Sequence, residues 1–239
     1  MNKTYFKEIA LTVGTFFWFL FVATNVNQVL GQTYQGFTAL SMLLLIIGIT
    51  IFDKDLRVTY SKQNNILSTI LMAIGGYITL LITSVFVLRF IDPAVANINS
   101  VLNLMGATTP ALSNSKVINL ITFGIVIPFV ETSLWARVME FIADRFHIQI
   151  TKQNIKKIGL ILIILILSVG FGIFHITAKG ISNISSLIIV VIMMIISLVM
   201  VVLSDGETKA AVYFHVIANT IAAYLSLFMS GSISAIMGS

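Results

Sequence analysis

Glu131, His175 and His215 each stand inside a long apolar run: ITFGIVIPFVETSLWARVMEF, LILIILILSVGFGIFHITAKG and TKAAVYFHVIANTIAAYLSLF. An ionisable side chain within hydrocarbon costs several kcal/mol, roughly 2.5 to 3.5 on insertion scales, so it normally faces a bundle interior and marks function. One carboxylate and two imidazoles are also the parts that activate a water molecule and stabilise the charge that develops when it attacks. His215 is followed four residues later by Asn219, so both side chains project from one helix face. Such a pair aims two hydrogen-bond donors at one point, as an oxyanion requires. The same pair also suits an interhelical polar clamp worth about 1 kcal/mol.

Glu131 is the sharpest of the set. It comes three residues after Pro128, whose missing N–H can kink or unwind a helix locally. No cation stands three or four residues from it, so its partner comes from another helix or the carboxyl carries a proton. Arg137 is six residues on, about 120° around the helix and roughly 9 Å along it. Arg137 has a candidate partner of its own in Glu140 at i+3. His175 ends a stretch containing Gly170 and Gly172, which let a neighbouring helix come close, and Phe171 lies one turn before it on the same face.

The elements that must hold these groups are membrane helices. Of 239 residues, 58% are hydrophobic and only 10% charged, with a mean hydropathy of +1.03. The apolar runs are continuous, which argues for helices rather than a barrel. We expect an all-α polytopic transmembrane bundle of about seven spans, within a range of six to eight. The segments are Ile9–Leu30, Phe37–Phe52, Ile66–Phe90, Val117–Phe141, Ile158–Thr177, Ile181–Leu203 and Lys209–Phe228. Lys3 and Lys7 precede a first run that reads as a retained span rather than a cleaved signal. Within the longest connection, Asp92 to Lys116, the residues Ile98, Val101, Leu102 and Met105 recur at helical spacing. They predict a short helix, either lying on the membrane surface or serving as a structural loop helix.

With the N-terminus inside, ten Lys and Arg fall in inner segments and three (Arg89, Lys116, Lys179) in outer ones, which favours a cytoplasmic N-terminus. The net charge of +5 is therefore an orientation signal and not a nucleic-acid footprint. The absence of cysteine removes thiol nucleophiles, disulfides and thiolate ligands. Counting 1.5 Å per residue from the inner helix ends puts His215 near ~10 Å, Glu131 near ~16 Å and His175 near ~25 Å, so a shared site requires tilted helices or shifted boundaries.

FGIFH (Phe171 to His175) and HVIAN (His215 to Asn219) resemble the F-x-x-x-H and H-x-x-x-N/B motifs of the CPBP family. These are the CAAX-protease and bacteriocin-processing membrane proteins, also called Abi proteins or glutamate intramembrane endopeptidases. The order of motifs is similar too: an acidic motif with a following Arg, then the two histidine motifs, over residues 115 to 228. The acidic motif departs from the family's E-E-x-x-x-R. Here Thr132 stands at the second Glu, and Arg137 comes one residue late. The resemblance divides the chain into residues 1–114, N-terminal helices and a surface loop, and residues 115–239, the catalytic-core helices of one integral membrane domain.

The resemblance implies metal-independent, cofactor-free hydrolysis of a peptide or a membrane-associated protein tail. Glu131, helped by His175, activates water. His215 and Asn219 hold the oxyanion, and Arg137 orients the acidic segment. Two His and one Glu are also a zinc-hydrolase ligand set, but H-E-x-x-H is absent and zinc ranks second. The altered acidic motif keeps a non-catalytic alternative open: a bacteriocin-immunity protein, or a sensor-kinase or assembly partner in the membrane. A proton-relaying transporter is a third reading, but the sequence has no visible inverted repeats. The expected location is a bacterial plasma membrane.

Overall fold

The computed structural model describes residues 66–107, 116–179 and 183–228, all of them helix, turn or short connection. The expected spans Ile9–Leu30 and Phe37–Phe52 lie outside the described residues. Among the described residues, five helices are long and apolar enough to cross a membrane. The protein is an all-α, polytopic, integral-membrane bundle. The helices are α1 (Ile66–Ile91), α2 (Ile98–Ala107), α3 (Lys116–Ile121), α4 (Ile127–Arg145), α5 (Ile158–Lys179), α6 (Ile184–Leu203) and α7 (Lys209–Phe228). A single π-helical turn, Thr122–Val126, joins α3 to α4 as one continuous rod.

Each helix buries one stripe and shows the rest of its apolar surface. On α5 the buried positions include Leu160, Ile163, Ile164, Leu167, Ser168, Phe171, Phe174 and His175, a three-and-four spacing that closes on the histidine. Helix α6 is the most apolar of the five and the most enclosed. Its start is fixed by Asn183, whose Oδ1 accepts the Ser185 and Ser186 N–H groups at 2.8 and 3.3 Å. The Ser185 hydroxyl in turn donates to Asp92 Oδ2 at 2.9 Å, tying α6 to the α1–α2 connection.

Helix α7 is the hub, packing against α1, α2, α4 and α6. Its buried face is rich in alanine (Ala210, Ala211, Ala218, Ala222, Ala223), which lets several neighbours approach at once. Helix α1 buries only the stripe of Thr69, Ala73, Gly76, Leu80, Ser84 and Leu88, and turns Ile74, Ile78, Ile82 and Phe86 outward. The short helix predicted between Asp92 and Lys116 is present as α2, and it is a packed element. Val101 and Met105 are buried, and the helix rests on α7 and α6.

At the Arg145 end of the bundle the connections lock together. Ile148 N–H returns to Ala143 O at 2.7 Å to close α4, and Lys152 N–H donates to Asp205 Oδ1 at 3.0 Å. His147 and Asp205 take left-handed conformations (φ 54 and 53), and Gly206 (φ 92) completes the α6–α7 turn.

Candidate functional site: a buried carboxylate between two imidazoles

Glu131 follows the π turn by one helical turn. In that turn Ile127 N–H reaches Thr122 O, five residues back, instead of four. Pro128 then has no N–H to offer, so the local unwinding that the proline implied takes this form. The turn sets Glu131 facing α5 and α7. Glu131 and His175 are each 2% exposed and His215 is 0% exposed, so the three are closed off from bulk water.

The carboxylate lies between the two rings. His175 Nε2 is 3.7 Å from Glu131 Oε1, and His215 Nε2 is 3.7 Å from Oε2. These separations exceed a direct N–H···O bond. The three residues therefore share one centre. The residue-counting depths of roughly 10, 16 and 25 Å do not describe this arrangement.

The far nitrogens fix the chemistry of the near ones. His175 Nδ1 is 2.9 Å from Phe171 O. A carbonyl only accepts, so Nδ1 carries the proton, and Nε2 of the neutral ring presents a lone pair to Glu131. A lone pair facing a carboxylate is repulsive unless a proton lies between them, on the ring, on the carboxyl, or on a bridging water.

His215 is different. Its Nδ1 is 2.8 Å from Thr132 Oγ1, and Thr132 is fully buried. A hydroxyl both donates and accepts, so it is compatible with either neutral tautomer of His215 and with the doubly protonated ring; when Thr132 donates to Nδ1, Nε2–H is left as a donor. Thr132 is the neighbour of the centre that sequence reasoning passed over as a departure from the acidic motif. The available signal was its place beside Glu131, one position around the same buried face.

Aromatic rings wall the centre. Phe171 is fully buried, with its ring 4.2 Å from His175 and 6.2 Å from His215, and Trp135 packs edge-on against it at 5.7 Å. Phe174 packs edge-on against His175 at 5.6 Å. These contacts hold both imidazole planes and exclude bulk water.

The other two expected residues are Asn219 and Arg137. Asn219 lies one turn after His215 on α7 and is half-buried. Arg137 lines a cavity of about 530 Å³ near the Arg145 end, together with Ser133, Glu140, Asp144, Asp205 and Thr208. The spacing that suggested an Arg137–Glu140 neighbourhood is thus reflected in a shared polar wall. Among the described residues, no group of three or more His, Asp or Glu is arranged to hold a metal ion. Comparison with protein-family models, with curated proteins and with solved structures finds no match to this chain.

Proposed function

We propose that this protein is an intramembrane endopeptidase that hydrolyses a peptide or a membrane-associated protein tail without a metal or cofactor. The observation that carries the reading is one buried carboxylate with an imidazole Nε2 at 3.7 Å from each of its oxygens. The ordered motifs resembling the CPBP family support it. Glu131 accepts one proton from a bound water, which His175 helps to orient, as the water oxygen attacks the scissile carbonyl carbon. The carbonyl electrons move to oxygen, which is held by His215 Nε2–H and the Asn219 side chain. The tetrahedral intermediate then collapses, the C–N bond breaks, and Glu131 returns the proton to the leaving amine. A positioned general base contributes typically 10²- to 10⁴-fold, and losing one oxyanion donor costs about 10²- to 10³-fold.

Arg137 orients the acidic segment from the cavity side in this scheme. The lysine and arginine distribution supports a cytoplasmic N-terminus, and a bacterial plasma membrane is the setting we propose. One observation favours a second reading. Thr132, not a second glutamate, partners His215. A protein that keeps the scaffold but binds a membrane partner, as in bacteriocin immunity or sensor-kinase assembly, tolerates that change.

The test is cleavage of a fluorogenic peptide library and of single-span substrates by purified protein in proteoliposomes. The proposal expects turnover by the wild type and its loss in Glu131→Gln and His175→Ala. Turnover unchanged from the wild type in both variants refutes the assignment. A cellular phenotype that survives Glu131→Gln in properly inserted protein selects the second reading.

A further inference from the structure

Two helices that share no sequence neighbourhood are joined where the Glu131 rod is irregular. In a regular α-helix Pro128 would donate to the Gly124 carbonyl, and proline cannot. That carbonyl accepts instead from Thr220 Oγ1 on α7, at 3.0 Å. A helical threonine ordinarily returns its hydroxyl to its own helix four residues back, so a bond across to another helix is a specific use of the group.

The approach is also sterically particular. A Cβ built on Gly124 would stand 2.7 Å from Thr220 Oγ1, 3.1 Å from its Cα and 3.3 Å from its Cβ. Only glycine lets the π turn come this close to α7. The buried positions Asn119, Phe123, Ile127, Glu131, Trp135, Met139 and Ala143 run at steps of four along the whole rod. Steps of four drift by 40° each in an unbroken α-helix, and the wider π turn takes back part of that drift. The turn thus decides which way Glu131 faces, and Thr220 clasps the turn.

We infer that Thr220 is a positioning residue. Through the Gly124 carbonyl it fixes the rotation and height of the Glu131 helix against α7, the helix that carries His215 and Asn219. Thr220 stands five residues beyond His215, roughly 7 Å along the helix, and Gly124 stands seven before Glu131, roughly 10 Å. Its effect on the centre is therefore transmitted by helix placement. The catalytic meaning of this rests on the peptidase reading, whereas the positioning does not.

The chain has three histidines, so imidazole ¹⁵N NMR of the full protein in nanodiscs gives few signals, assignable by single His→Gln variants. Thr220→Val removes the hydroxyl at nearly constant volume, and Thr220→Ser keeps it. Gly124→Ala perturbs the same clasp from the other side. We expect Thr220→Val and Gly124→Ala to change the tautomer balance of His175 and His215 and to leave exposed His147 unchanged. Thr220→Ser should restore the wild-type pattern, and all three variants should keep wild-type helicity. On a cleaved substrate, Thr220→Val should lower kcat at least tenfold with KM changed less than twofold. Wild-type imidazole spectra in both Thr220→Val and Gly124→Ala overturn the inference. If the wild type cleaves nothing, the peptidase reading fails, while the NMR outcome still decides the clasp.

Discussion

Replacing Thr132 by valine removes one oxygen from the centre and almost no volume. In the native protein the Thr132 hydroxyl is 2.8 Å from His215 Nδ1, and both residues are fully buried. After the change, Nδ1 faces a methyl group in a site without bulk water. Leaving a buried polar group unsatisfied costs about 1 to 3 kcal/mol. The ring can recover part of this by rotating or by changing tautomer, and either move spoils Nε2–H as a donor to the oxyanion. If the whole cost appears in the transition state, kcat falls about 5- to 150-fold, at 1.36 kcal/mol per factor of ten. Substrate binding does not use this group, so KM should stay within about twofold of the wild type, the signature of an interaction made in the transition state. The assay is steady-state cleavage in proteoliposomes, with Thr132→Ser as the control that keeps the hydroxyl and loses the methyl. Wild-type kcat in Thr132→Val refutes the role of the hydroxyl. Equal losses in valine and serine variants assign the effect to packing of the methyl group instead.

Other outcomes are equally specific. Pro128→Ala returns an N–H to the ladder and competes with Thr220 for the Gly124 carbonyl; turnover should fall about tenfold, roughly 1.4 kcal/mol, even though alanine favours the helix, as read by kcat against thermal unfolding. Phe171→Ala opens the wall between the two imidazoles and should lower thermal stability by about 3 to 5 kcal/mol, measured by reversible unfolding in detergent. Arg137→Ala should reduce turnover less than tenfold, roughly 1.4 kcal/mol, because Arg137 lines the polar cavity; a loss as large as that of Glu131→Gln contradicts this placement. Two imidazoles and a carboxylate are a donor set that zinc also uses, but no three such groups among the described residues are arranged to hold an ion, so turnover should survive dialysis against a strong chelator, with metal content followed by mass spectrometry.

Much of the bundle was legible because lipid leaves a chain few options. Five apolar runs predicted between Ile66 and Phe228 are five membrane-length helices, with most boundaries moved by only a few residues. The three ionisable groups were legible for the same reason: a charge in an apolar run needs partners, and these three are each other's partners. Depth was not legible. Counting residues from helix ends assumes that the ends share a plane, and His175 and His215 meet Glu131 from very different distances along their helices.

Pro128 announced an irregularity, but the partner that takes the Gly124 carbonyl there is Thr220, which is distant in sequence and has an ordinary appearance there. Thr132 was hidden by its chemistry. A hydroxyl carries little signal in a sequence until the imidazole opposite it is known. The cavity that Arg137 lines was likewise hidden, because Asp205 and Thr208 reach it from the connection between α6 and α7.

The central claim is that Glu131 and His175 act together as one water-activating unit. A double-mutant cycle in kcat, using Glu131→Gln, His175→Ala and the combined variant in proteoliposomes, tests it most directly. The account predicts that each single change removes nearly all turnover and that the double variant is about as impaired as either one, since disabling one member already disables the unit. Losses that multiply, or a single variant that keeps wild-type turnover, contradict it.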